Sequence, residues 1–218
     1  MGHRRSASLL AALAVVLAGC AVADPVSVGT GQPSTAVPAV LNVVPVEAEI
    51  VEPCTNLPIT RGDRQADGDG LAELMLPCLT GGPAVNLAHL GGRPMVINLW
   101  ATWCGPCRDE MPVLQDGYQR FGDQVSFVGV DTKDSAQGAA TFLEDIGVVY
   151  PQLVDVDGQL LASLGIPGLP VTLVLDAQGQ VMNRHVGPLS TDGLDDLVES
   201  AIGTADSGAG SGSASSTP

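Results

Sequence analysis

The chain is predicted to be an α/β protein in which a central mixed β-sheet is packed between helices, with an extension at its N-terminus. Three observations predict this. Met95–Trp100, Val125–Val130 and Val171–Leu175 are short runs of almost unbroken apolar character, as expected of central strands covered on both faces. Segments with helical spacing lie between strand-like runs, and that alternation builds a sheet between helices. The last two strand-like runs flank a turn at Ala177-Gln178-Gly179 and lead into a final amphipathic helix. That hairpin adds antiparallel pairing to the sheet.

In chain order, Leu41–Val51 is rich in Val and reads as a strand or a docked segment. Pro53-Cys54 opens a turn-rich region running to Gly70. Its Asp63, Asp67 and Asp69 faintly resemble a calcium loop, but no Glu stands at the twelfth position counted from Asp63, so a polar loop is the better reading. Leu76–Leu79, Gly81-Gly82 and Ala84–Leu87 read as a hairpin, with the glycines supplying positive φ at the turn and Cys78 on the first strand. Gly91-Gly92-Arg93-Pro94 turns into the strand Met95–Trp100. A helix follows from Gly105 to Phe121, with Pro112 inside it removing one backbone hydrogen bond and expected to kink it.

Val125–Val130 then forms a buried strand ending at Asp131. Ser135–Ile146 is helical, with Ser135 or Asp134 as N-cap. Tyr150–Val154 is a short extended piece, Asp155–Gly158 a turn, and Gln159–Leu164 a short helix closed by Gly165. Gly168-Leu169-Pro170 leads into Val171–Leu175, which pairs with Val181–Val186 across the hairpin. Thr191–Ile202 places Leu194, Leu197, Val198 and Ile202 on one face and acids on the other. The Gly/Ser-rich remainder is expected to be disordered. The resulting division is a leader at 1–19, a tether at 20–40, an extension at 41–71, an α/β domain at 72–203 and a tail at 204–218.

The chain has 218 residues, 45% hydrophobic residues and a net charge of −15. Its only basic cluster lies in the first five residues, which excludes nucleic acid as a partner, because phosphate binding needs concentrated Lys and Arg. His3-Arg4-Arg5 followed by ten apolar residues, Leu9–Ala18, reads as a secretory signal. A membrane span would need about 20 apolar residues. Leu17-Ala18-Gly19-Cys20 resembles the bacterial lipoprotein lipobox. That resemblance implies cleavage before Cys20, its lipidation, and a position on the extracytoplasmic face of the bacterial plasma membrane.

Four cysteines then remain. Cys104 and Cys107 stand two residues apart where a strand hands over to a helix. Backbone N–H groups and the helix dipole at such a start favour a thiolate. Cys104 is therefore read as an attacking nucleophile and Cys107 as a resolving thiol, one turn in and more buried. Adjacency pairs these two and leaves Cys54 with Cys78, a crosslink worth on the order of 3 kcal/mol if it is structural. A second redox pair is the alternative for Cys54 and Cys78.

Trp103-Cys104-Gly105-Pro106-Cys107 is similar to the thioredoxin-type active-site string, and the longer run Asn98–Pro112 resembles the exported, membrane-tethered thiol–disulfide oxidoreductases of the TlpA/ResA/DsbE type. Gly168–Asp176 resembles the cis-proline strand of that family. The likeness covers roughly residues 72–203 and implies a thioredoxin-like fold without cofactor or metal. It implies that Cys104 is the exposed nucleophile, that Glu110 is an acid handling protons near the dithiol, and that Pro170 forms a cis bond facing it. Leu169 would offer backbone groups to a client and Trp103 would pack beside the dithiol. Asn98 stands where cytosolic thioredoxins carry a buried acid. The implied activity is reduction of client disulfides, with apocytochrome haem-binding cysteines as leading clients and a membrane electron-transfer protein as reductant.

Two other readings compete. A Sco-type copper chaperone would bind copper through Cys104 and Cys107 with His185, but that family spaces its cysteines by three residues. A redox-inert binding module would leave the dithiol without use. His89 is given no role.

Overall fold

The computed structural model describes residues 48–60 and 70–208. The leader, Cys20, the tether, the acidic loop at Asp63, Asp67 and Asp69, and the tail beyond residue 208 lie outside the described residues. Five strands form one sheet in the order β5–β4–β3–β6–β7. They are β3 (Met95–Trp100), β4 (Ser126–Thr132), β5 (Gln152–Asp155), β6 (Val171–Leu175) and β7 (Val181–Val186). β3 runs parallel to β4 and antiparallel to β6, β4 runs parallel to β5, and β6 pairs antiparallel with β7. This is the mixed sheet the sequence predicts. A separate two-stranded hairpin, β1 (Met75–Leu76) and β2 (Val85–Asn86), precedes it.

Every residue of β3 is buried, and its alternation divides the core in two. Val96 and Trp100 pack with α1 (Gly105–Phe121), α2 (Ala136–Ile146) and α4 (Thr191–Gly208). Met95, Ile97 and Leu99 pack with the hairpin and α3 (Gln159–Ser163). A strand covered on both faces has no polar side, which is why its sequence reads as a continuous apolar run. α1 begins with Pro106 in its first turn, where a missing N–H costs nothing. α2 is capped by Ser135, whose Oγ accepts from Gly138 N–H at 3.2 Å, and is closed by Gly147 at φ 70°.

One glycine is required by close packing. A Cβ on Gly129 of β4 would lie 1.9 Å from Gln152 Oε1. The missing side chain lets Gln152 reach across from β5 and accept a hydrogen bond from Trp100 Nε1 at 2.9 Å.

Several expectations are corrected. Cys78 does not lie on the first hairpin strand, which is only two residues long. It forms an isolated bridge with Leu153 of β5, because the disulfide to Cys54 and the edge of the main sheet claim this stretch. β4 and β5 each extend one residue past their expected ends, to Thr132 and Asp155. α4 continues to Gly208, so residues 204–208 are helical instead of disordered. Each residue added to a formed helix gains a backbone bond without a new nucleation cost, and this carries the helix past its apolar face.

Part of the N-terminal extension is docked. Ala48 and Val51 are buried in the cluster under α1, and Glu52 N–H donates to Val149 O at 2.7 Å. The Glu52 carboxylate accepts from the Tyr118 hydroxyl of α1. Among the described residues, no helix is long and apolar enough to cross a membrane.

Candidate dithiol site

β3 delivers the chain to the dithiol. Ala101–Trp103 turn outward, and Cys104 becomes the N-cap of α1. Cys104 and Cys107 are joined by a disulfide, and Cys107 N–H points at Cys104 Sγ at 3.3 Å. Once the bond is reduced, that N–H and the helix dipole face the Cys104 sulfur and stabilise its thiolate. Cys107 is 0% exposed and Cys104 only 5% exposed, so the predicted order of burial holds. The expectation of an exposed Cys104 does not, because the residue sits within the buried cluster that includes Cys107 and Met111.

The turn before Cys104 is held from the β4–α2 connection. Thr102 donates through N and Oγ1 to Asp134 Oδ2, at 2.6 and 2.5 Å. Trp103 Nε1 donates to Lys133 O at 3.0 Å, and Trp103 is 62% exposed. Its indole is thus tied to the neighbouring loop.

One turn along α1 from Cys107, Glu110 lies 2% exposed. Positions three apart share a helix face, which puts both side chains on the inward side. Asn98 Nδ2 of β3 donates to Glu110 Oε1 at 2.8 Å. Leu189 N–H donates to Oε2 at 2.8 Å. Burial pushes the Glu110 carboxyl up from 4.5 to about 7, against the pull of the Leu189 and Asn98 hydrogen bonds. A carboxyl titrating there can take and return a proton at neutral pH. Asn98 cannot act as a base, but it serves as the donor that orients Glu110.

The Leu169–Pro170 bond is cis. Pro170 immediately precedes β6, whose Val171 pairs with Leu99 of β3. The register therefore sets Pro170 at the same end of the sheet as the dithiol turn. Leu169 is partly buried against both core clusters.

Cys54 and Cys78 form the second disulfide, with a Cα–Cα separation of 5.9 Å. Both are buried, at 4% and 2%, and Cys54 Sγ lies 3.4 Å from Gln152 O. His185 sits on β7, 3.4 Å through Nε2 from Pro188 O. Among the described residues, no cluster of His, Cys, Asp or Glu could hold a metal ion, and the copper-chaperone reading finds no support. His89 closes a single 3₁₀ turn, and its carbonyl accepts from Thr60.

Sequence reasoning missed three buried groups. Asp131 at the end of β4 is 0% exposed, and neither carboxylate oxygen has a hydrogen-bond partner among the described residues. Burial first, then the charges of Asp134 and Asp155, push it up from 3.8 to about 8. Its only sequence signal was a lone acid closing an apolar run. Gln152 and the Leu189 amide gave no signal, since both act through tertiary packing.

The AhpC/TSA family model matches residues 68–184. The thiol-disulfide oxidoreductase ResA of Bacillus subtilis is 30% identical over 120 residues, covering 55% of this chain and 67% of its own. The thiol:disulfide interchange protein HelX of Rhodobacter capsulatus is 34% identical over 138 residues, covering 57% and 77%. A crystal structure of a thiol:disulfide interchange protein of the thioredoxin family from Chlorobium tepidum TLS superposes with a TM-score of 0.54 at 26% identity, covering 63% of this chain and 99% of that one. A dithiol capping a helix on a mixed five-stranded sheet, with those relatives, means that this chain belongs to the AhpC/TSA family and is a thiol–disulfide oxidoreductase of the ResA and HelX type.

Proposed function

We propose that the chain is a lipid-anchored, extracytoplasmic reductant of protein disulfides. The observation that carries this reading is Cys104 capping α1, with the Cys107 N–H on its sulfur and Glu110 buried one turn further on. The Cys104 thiolate attacks one sulfur of a client disulfide, forming a mixed disulfide and releasing the other client thiolate. Cys107 passes its proton to Glu110 and attacks Cys104 Sγ. The second client thiolate leaves, and the Cys104–Cys107 disulfide remains. Two electrons have moved to the client.

Leu169 and Pro170 form the ledge on which client backbone rests, and exposed Trp103 offers it an apolar surface. Cys54–Cys78 is structural, because Cys78 is buried against Leu153 at the edge of the main sheet and does not stand at a helix start. The signal-like leader and the lipobox at Cys20 support export and anchoring, and a second buried disulfide fits an oxidising compartment. Apocytochrome haem-binding cysteines are the leading clients, and a membrane electron-transfer protein would restore the dithiol.

Trapping tests this. Cys107→Ser should hold clients on Cys104 as mixed disulfides that reductant releases, and mass spectrometry would identify them. Apocytochromes among the captured species support the haem-linked reading. Many unrelated exported proteins would overturn it in favour of general disulfide handling. Failure to trap any client would overturn the reductant assignment.

A further inference from the structure

The loop between β7 and α4 bonds to both halves of the site. Gly187 N–H donates to Pro170 O at 3.0 Å, and Leu189 N–H donates to Glu110 Oε2 at 2.8 Å. Between them Pro188 O faces His185 Nε2. The Leu189 side chain is 5% exposed, in the cluster that contains Cys104, Cys107 and Met111. The amide is therefore fixed from both flanks before any client arrives. Asn98 takes the other Glu110 oxygen, and among the described residues no cation pairs with this carboxylate. At a buried carboxylate without a counter-charge, hydrogen bonds to the ionised form are what lower its cost.

We propose that the Leu189 backbone N–H is a positioning group for the exchange reaction, fixing the orientation of the Glu110 carboxylate and setting the pH at which it takes a proton. This rests on the assignment of Glu110 as the proton acceptor for Cys107. The same loop holds Pro170 O, so the proton-handling acid and the client ledge share one support. The titratable groups around Glu110 are few. Cys104 and Cys107 share its helix and titrate only when reduced. Tyr150, before β5, has its phenol pushed up by burial and by Glu110 itself. His185 of β7 reaches the loop through Pro188 O, and Asp192 in the first turn of α4 is exposed. Arg108 and Asp109 on α1 are also exposed.

The test separates the amide from the side chain in the oxidised full chain, where the thiols do not titrate. Carboxyl resonances of ¹³C-labelled Glu are followed with pH, and Glu110 is assigned by its absence in Glu110→Gln. Leu189→Pro deletes the N–H, and Leu189→Ala truncates the side chain but keeps it. If the proline variant does not fold, replacing residue 189 with the α-hydroxy analogue of leucine deletes the N–H alone. The wild type should titrate near 7. Loss of the N–H should raise that midpoint by about one unit, and Leu189→Ala should leave it within about 0.3 units. Equal shifts in both variants, or none without the N–H, would overturn the proposal.

The pH dependence of single-turnover reduction of oxidised glutathione by the reduced protein should show the same displacement. If Glu110→Gln keeps the wild-type inflection, the assignment of Glu110 itself falls. If Glu110→Gln loses it while N–H deletion leaves it in place, only the role of Leu189 falls.

Discussion

Asp131→Asn should change how stability depends on pH. Asp131 is 0% exposed and unpartnered among the described residues, and its carboxyl is raised from 3.8 to about 8 by burial, with Asp134 and Asp155 adding to it. A carboxyl raised on folding prefers its proton in the folded state. Its contribution is complete below the unfolded value and is lost as pH climbs through the folded one. Between pH 5 and pH 8 the wild type should therefore lose stability relative to a variant that cannot ionise there. At about 1.4 kcal/mol per pH unit, three units give a differential of about 4 kcal/mol. Urea unfolding of the oxidised proteins at both pH values, followed by tryptophan fluorescence, reads it directly. Glu110 titrates in the same window with the same sign, but it is present in both proteins and cancels in the difference. A wild-type-minus-variant difference that is the same at pH 5 and pH 8 would refute the reasoning.

Other outcomes follow from the same contacts. Gly129→Ala should cost about 1–3 kcal/mol by overpacking and should alter the emission of Trp100, because Gln152 can no longer reach the indole; melting temperature and fluorescence check this. Cys54→Ser with Cys78→Ser should lose on the order of 3 kcal/mol of stability and keep disulfide-reductase activity, as measured by denaturation and insulin reduction. Asp134→Ala should lower stability by about 1–3 kcal/mol through loss of both Thr102 hydrogen bonds, and Asp134→Asn should recover part of it.

The central strands were legible because they are covered on both faces, and the largely exposed β7 because the turn at Ala177-Gln178-Gly179 marks its start. Met95–Trp100, Val171–Leu175 and Val181–Val186 appear as strands with the expected ends, and α1 spans Gly105–Phe121 as expected. The dithiol was legible because its chemistry is local, two cysteines at a helix start. Glu110 was visible only through family likeness, since nothing in the sequence says that a glutamate three residues past Cys107 faces inward. Its partners Asn98 and Leu189 come from β3 and from the β7–α4 loop, 12 and 79 residues away, and no spacing rule reaches them. Cys78 was misplaced for a similar reason. Its neighbours are set by the disulfide and by an edge strand some 75 residues later, not by the hairpin turn beside it.

In the proposed exchange Cys104 attacks and Cys107 resolves. Limited alkylation of the fully reduced protein at neutral pH, with peptide mapping of the modified sulfur, tests it most directly. Cys104, facing the Cys107 N–H at the start of α1, should be modified at least about tenfold faster than fully buried Cys107. Equal labelling, or modification of Cys107 first, would contradict the account.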